Sequence, residues 1–165
     1  MIELTFYAAA AIAVIATAMV VTCPHPVHAL LYLVLSLLAV ATVFFTLGAP
    51  FAGVLEVIVY AGAVMVLFVF VVMMLNLGKS TVEQELRWLS PRAALGPALL
   101  AGVLLYLLLR DLWSANAAPL GLQVVDAKAV GVALYGPYLL AVELASMLLL
   151  AGLVAAYHLG KPDAS

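Results

Sequence analysis

Between Phe51 and Asn76 the chain reads FAGVLEVIVYAGAVMVLFVFVVMMLN, and no other stretch limits the possible folds as strongly. The run is overwhelmingly apolar, yet it carries one acid, Glu56, and the small-residue cluster Ala61, Gly62 and Ala63. About 20 helical residues, each rising about 1.5 Å, already cross a hydrocarbon core of about 30 Å. This run is longer, so it must tilt, kink or distort to fit. An ionised side chain at the centre of a span costs roughly 2.5 to 3.5 kcal/mol on insertion scales, so Glu56 must face protein or water rather than lipid. Tyr60 follows four residues later on the same helical face, where its hydroxyl can bond to Glu56 or to a shared water. Two roles fit the pair: a neutral, hydrogen-bonded acid that joins helices, or a proton-handling group on an ion pathway.

Composition fits the same setting. Of the 165 residues, 68% are hydrophobic and 8% are charged, against roughly 45 to 50% apolar and 25% charged in soluble domains. The chain is therefore expected to be an all-α integral membrane protein, with residues 1–165 forming a single membrane domain in the lipid bilayer. A net charge of -2 offers nothing to nucleic acid. The lone cysteine, Cys23, allows neither an internal disulfide nor a thiolate metal cluster. No Lys or Arg precedes Lys79, so the first apolar segment lacks the basic start of a signal peptide and is expected to stay.

Five spans are predicted, at about 2–21, 27–47, 51–77, 93–112 and 138–159. Pro24 and Pro26 end the first helix and make CPHPVH a tight turn, whose His25 and His28 are expected to be interfacial polar residues. Ser36, Thr42 and Thr46 of the second span are expected to bond back to carbonyls of their own helix. The very short connector Gly48-Ala49-Pro50 makes spans two and three antiparallel neighbours. Gly78-Lys79-Ser80 resembles the end of a phosphate-binding loop, but Met73 stands where that motif needs glycine, so nucleotide binding is rejected. Ser80 and Glu83 fit a capping box, and Trp88 fits an interface anchor. The fourth span ends at Arg110-Asp111, with Trp113 as anchor. Residues 114–137 are expected to form a surface loop because of their Gly and Pro content. Glu143 and Ser146 lie early in the fifth span, where Glu143 is expected to meet a neighbour or the interface. Five spans put the termini on opposite sides. Lys79, Arg87, Arg92 and Lys161 on one side outnumber Arg110 and Lys128 on the other, which favours the N-terminus outside and the C-terminus inside.

Three stretches together resemble one family: PVHALLYLVLSLL (26–38), FAGVLEVIVYAGAVMVLFVFVVMMLNLG (51–78) and LYGPYLLAVELASMLLLAGLVAAYH (134–158). They are similar to the subunit J or chain 6 family of the bacterial and mitochondrial proton-pumping NADH:quinone oxidoreductase, respiratory complex I. His25 stands where that family often has Asn. The resemblance implies a five-span, non-catalytic subunit of the bacterial inner membrane that lies between the quinone-site subunit and the antiporter-like subunits, beside the small three-span subunits. It implies no cofactor in this chain, with NADH, FMN, iron-sulfur clusters and quinone held by other subunits. It also implies a π-bulge in the third helix, around Tyr60 to Val66, which includes Ala61, Gly62 and Ala63. Rearrangement of this bulge would open or close a water path.

On these grounds the chain is expected to couple quinone reduction to proton translocation, with Glu56, Tyr60 and Glu143 as proton-path candidates. A purely structural helix-packing subunit and a free-standing transporter are the alternatives. Co-migration with many partners on purification separates the transporter from the other two.

Overall fold

The computed structural model describes residues 2–23, 26–75, 91–113, 120 and 124–161, which are helical wherever they are regular and contain no strand. The elements are α1 (Ile2–Thr22), α2 (Pro26–Thr46), α3 (Pro50–Leu55), a π-helical segment (Glu56–Val64), α4 (Met65–Leu75), α5 (Pro91–Trp113), α6 (Ala127–Leu134) and α7 (Leu139–Gly160). Among the described residues five helices are long and apolar enough to cross a membrane: Ile2–Thr22, Pro26–Thr46, Pro50–Val72, Leu95–Trp113 and Leu139–Gly160. Thus α3, the π segment and α4 join into one third span. The expected five-span, all-α membrane architecture with a π-distorted third helix is what the molecule has. By contact the chain divides into two compact units, Met1–Val125 and Asp126–Ser165.

In the first unit α1 and α2 lie against each other along a stripe of small residues. Thr5, Ala9, Ile12, Ala13 and Ala16 recur at helical spacing and are buried on α1. With Leu35 and Ala39 of α2 and Leu104 of α5, the apolar members of that stripe form the core cluster. Helices in lipid gain nothing from hiding apolar surface from one another, so close backbone approach and hydrogen bonds must hold them, and small residues permit both. The approach is near enough for Ser36 Oγ to reach the Ala13 carbonyl of α1 at 3.2 Å. Thr17 Oγ1 also reaches that carbonyl, at 2.8 Å, and lies 2.8 Å from Ser36 Oγ. Ser36 thus departs from the expectation that it bonds within its own helix. Ala13 holds nothing off the α1 backbone, so a better-placed acceptor lies across the interface. Thr42 and Thr46 do bond back, to the carbonyls of Leu38 (2.9 Å) and Val43 (2.8 Å).

Pro26 opens α2, with its missing donor at a position where the helix has no use for one. His28 consequently falls on the buried stripe of α2 with Leu35, Ala39, Thr42 and Thr46, and is 5% exposed. It is buried within this unit at the start of α2; His25 lies outside the described residues. The helix ends at Gly48, whose φ of 82° is the left-handed conformation that favours glycine. Ala49 N–H donates to Phe44 O at 3.0 Å and Gly48 N–H to Phe45 O at 3.2 Å, the paired bonds of a Schellman cap. Leu120 N–H adds a bond to Thr46 O (2.8 Å) and Val125 N–H one to Gly48 O (2.9 Å). Carbonyls left over at the end of α2 and in its turn are thereby satisfied by the segment leading away from α5.

Two further expectations meet the structure differently. The capping box at Ser80 and Glu83 and the anchor Trp88 lie outside the described residues. The expected loop over residues 114–137 contains a helix, α6, started by Asp126, whose carboxylate accepts from Ala129 N–H at 2.8 Å. That bond offsets the helix-weakening effect of Gly131. In the second unit α6 is followed by the turn 135–138 and then by α7, none of whose residues is buried.

Candidate functional site: the π segment of the third span

The third span begins as an ordinary α-helix, with Glu56 N–H donating to the carbonyls of Ala52 and Gly53. From Glu56 the turns widen, and at the far end Met65 N–H donates to Tyr60 O, five residues back, as well as to Gly62 O. Gly62 explains why the wide turn is tolerated. A Cβ on it would lie 3.2 Å from the Val57 carbonyl oxygen, also five residues back, so any larger residue meets backbone. Glu56, Tyr60, Ala61, Gly62 and Ala63 all fall in the π segment, whereas Val66 is the second residue of α4.

Buried residues flank the segment, and none lies within it. On the N-terminal side Gly53 is buried where α3 touches α2, and a Cβ there would stand 3.0 Å from the Phe45 ring and 3.1 Å from Ala41 O. On the C-terminal side Met65 is 2% exposed. Every additional residue in a turn rotates the remainder of the helix by about 100°, so α3 and α4 present faces that a regular helix would not align.

Toward α2 and α5, Val57 lines a partly open cavity of about 190 Å³ whose walls include Leu38, Ala41, Phe45 and Leu104. Thr42 is its one polar wall residue, and that hydroxyl is already bonded to Leu38 O. Its walls offer an ordered water no free polar partner. The polar groups of the segment are elsewhere. Glu56 is half-buried and Tyr60 is 53% exposed. Among the described residues neither side chain has a hydrogen-bond partner. Glu143 is in the second unit, exposed on α7. Among the described residues no three His, Cys, Asp or Glu side chains converge in a way that could hold a metal ion.

Residue-by-residue reading of the sequence misses Gly53, Met65 and the alanine stripe of α1. The small-residue spacing Thr5, Ala9, Ala13 was the available signal for the stripe. Gly53 gave none, since its constraint comes from Phe45 and Ala41 on another helix.

Comparison with known proteins agrees with this architecture. The family model for NADH-ubiquinone/plastoquinone oxidoreductase chain 6 matches residues 4–159. NADH-quinone oxidoreductase subunit J of Pseudomonas aeruginosa is 66% identical over 163 residues, covering 98% of both chains. The protein of the same name from Escherichia coli K12 is 57% identical over 161 residues, 98% of this chain and 88% of its own. That of Buchnera aphidicola from Schizaphis graminum is 48% identical over 159 residues, 96% of this chain and 98% of its own. An intramembrane acid opening a π segment in the third of five spans thus sits in a chain that belongs to the NADH-ubiquinone/plastoquinone oxidoreductase chain 6 family.

Proposed function

We propose that this chain couples quinone reduction, carried out elsewhere in its complex, to proton movement across the membrane, and that it holds no redox centre itself. The observation that carries this reading is the π segment. It begins at an acid inside a span, contains no buried residue, and lies between the buried Gly53 and Met65. A wide turn of this kind can lose or regain one residue of register at low cost, and π turns recur at functional sites. Gly62 keeps that option open. The apolar lining of the cavity on the α2 and α5 side leaves the face of the half-buried Glu56 and the exposed Tyr60 as the one where water and neighbouring subunits would meet the segment. NADH, FMN, iron-sulfur clusters and quinone are held by other subunits in this reading. The partners are the quinone-site subunit, the small three-span subunits and the antiporter-like subunits, all in the bacterial inner membrane.

Glu56→Gln tests the proposal, because it keeps size and hydrogen bonding and removes titration. Assembly is expected to survive, while quinone reduction coupled to proton uptake falls. An unchanged rate and proton-to-electron ratio in the purified variant would reduce Glu56 to a residue that joins helices.

A further inference from the structure

We propose that Tyr32 of α2 and the proline break in α5 together hold one ordered water, which accepts a hydrogen bond from the Tyr32 hydroxyl and donates one to the Ala93 carbonyl. The inference is independent of the coupling role of the π segment. It begins with Pro97, the seventh residue of α5, which is buried and inside the helix. A proline has no N–H for the carbonyl four residues back, here that of Ala93, and its ring crowds the same carbonyl. At membrane depth such a group must find another donor, and neighbouring helices, Ser or Thr side chains and ordered waters are the usual sources. From Pro91 to Leu100 α5 has neither Ser nor Thr.

The neighbouring helix brings one polar group to the break. Tyr32 packs, partly buried, against the core cluster shared by α1, α2 and α5, and its hydroxyl reaches α5 at Gly96. A Cβ on Gly96 would collide with Tyr32 Oη, so the missing side chain is what admits the hydroxyl. Gly96 directly precedes the proline and lies three residues after Ala93, on the turn whose carbonyl is left over. Among the described residues Tyr32 Oη has no hydrogen-bond partner. A phenol that can donate thus stands at a turn with a carbonyl that can only accept. One water serves both, and two polar partners are the least that hold an ordered water. Gly96 and Pro97 are the second and third residues of the span Leu95–Trp113, at the end where water from the interface has access. Pro97 also lines an open apolar cavity of about 350 Å³ with Leu31, Leu35 and Ala101, which leaves space beside the break.

The test uses the whole complex. A map fine enough to show ordered waters is expected to contain a peak about 2.8 Å from both Tyr32 Oη and the Ala93 carbonyl oxygen. Tyr32→Phe removes one hydroxyl and little else, and should empty that position. Amide hydrogen exchange then asks whether the water answers the proline. In complex carrying Tyr32→Phe, exchange over residues 95–101 is expected to quicken at least about fivefold, since a backbone carbonyl loses its donor. Adding Pro97→Ala returns an N–H to that carbonyl, so in this background Tyr32→Phe should leave exchange unchanged. The proposal is overturned by a map with no peak joining the two atoms, or with Tyr32 Oη seated directly on the carbonyl. A peak that survives Tyr32→Phe, or equal quickening with and without the proline, overturns it as well. If Pro97→Ala does not assemble, the two maps decide alone.

Discussion

At Gly62 the absent side chain and the wide turn are one physical fact, because the atom a Cβ would crowd is the Val57 carbonyl five residues back. Gly62→Leu therefore opposes the π register itself. Overpacking of this sort costs typically about 1 to 3 kcal/mol. Against a two-state helix that is a population shift of about 5- to 150-fold. Assembled complex carrying Gly62→Leu is expected to lose quinone reductase activity and membrane-potential formation per molecule, whereas normal specific activity would leave Gly62 as a packing residue. Ser36→Ala should matter far less. It removes one hydroxyl from Ala13 O while Thr17 keeps its bond there, and such interhelical bonds average about 0.6 kcal/mol. Thermal inactivation of the complex should barely move. Glu56 and Gly62 were legible in the sequence because an acid and a glycine inside a span are anomalous by residue type alone. Gly53 was not, because what forbids a side chain there is a ring and a carbonyl on α2.

The third span shows how an element is governed by its ends. Gly53 meets the Ala41 backbone carbonyl, which cannot yield freely, as well as the edge of the Phe45 ring, so Gly53→Val is expected to lower the amount of assembled complex and its midpoint of thermal inactivation. Unchanged levels on a native gel would mean that α2 and α3 separate more easily than their contact implies. Excess length pointed to a distortion somewhere between residues 51 and 77. Its start at Glu56 was not readable, since it follows Gly53, whose place is set by Phe45 and Ala41 of another helix. The short helix α6 was hidden by Gly131, Gly136 and Pro137, which signal a loop, although Asp126 three residues before Ala129 carried the capping signal. Asp126→Ala is expected to destabilise α6 by about 0.5 to 2 kcal/mol, visible as faster backbone amide exchange over 127–134.

Across the whole molecule, the bonds from Leu120 to Thr46 and from Val125 to Gly48 fix which span ends share a membrane side. Trp113 ends α5 only seven residues before Leu120 (120 − 113). Seven extended residues reach at most about 25 Å, less than a hydrocarbon core of about 30 Å. The ends of α2 and α5 must therefore lie on the same side. This is the parity that five successive crossings require. On the count of basic residues in the sequence, a cytoplasm-dependent reporter fused after Ser165 is expected to be active, and one at the N-terminus silent. The reverse pattern would invert the molecule. The Schellman turn at Gly48 also bears on how the chain is made. Its few residues leave nothing hydrophilic to cross the membrane between α2 and α3, so the two helices are expected to enter the lipid together, as a hairpin. An epitope inserted at residues 48–50 would then do more than mark a loop: it would separate two insertion events that the native chain performs as one.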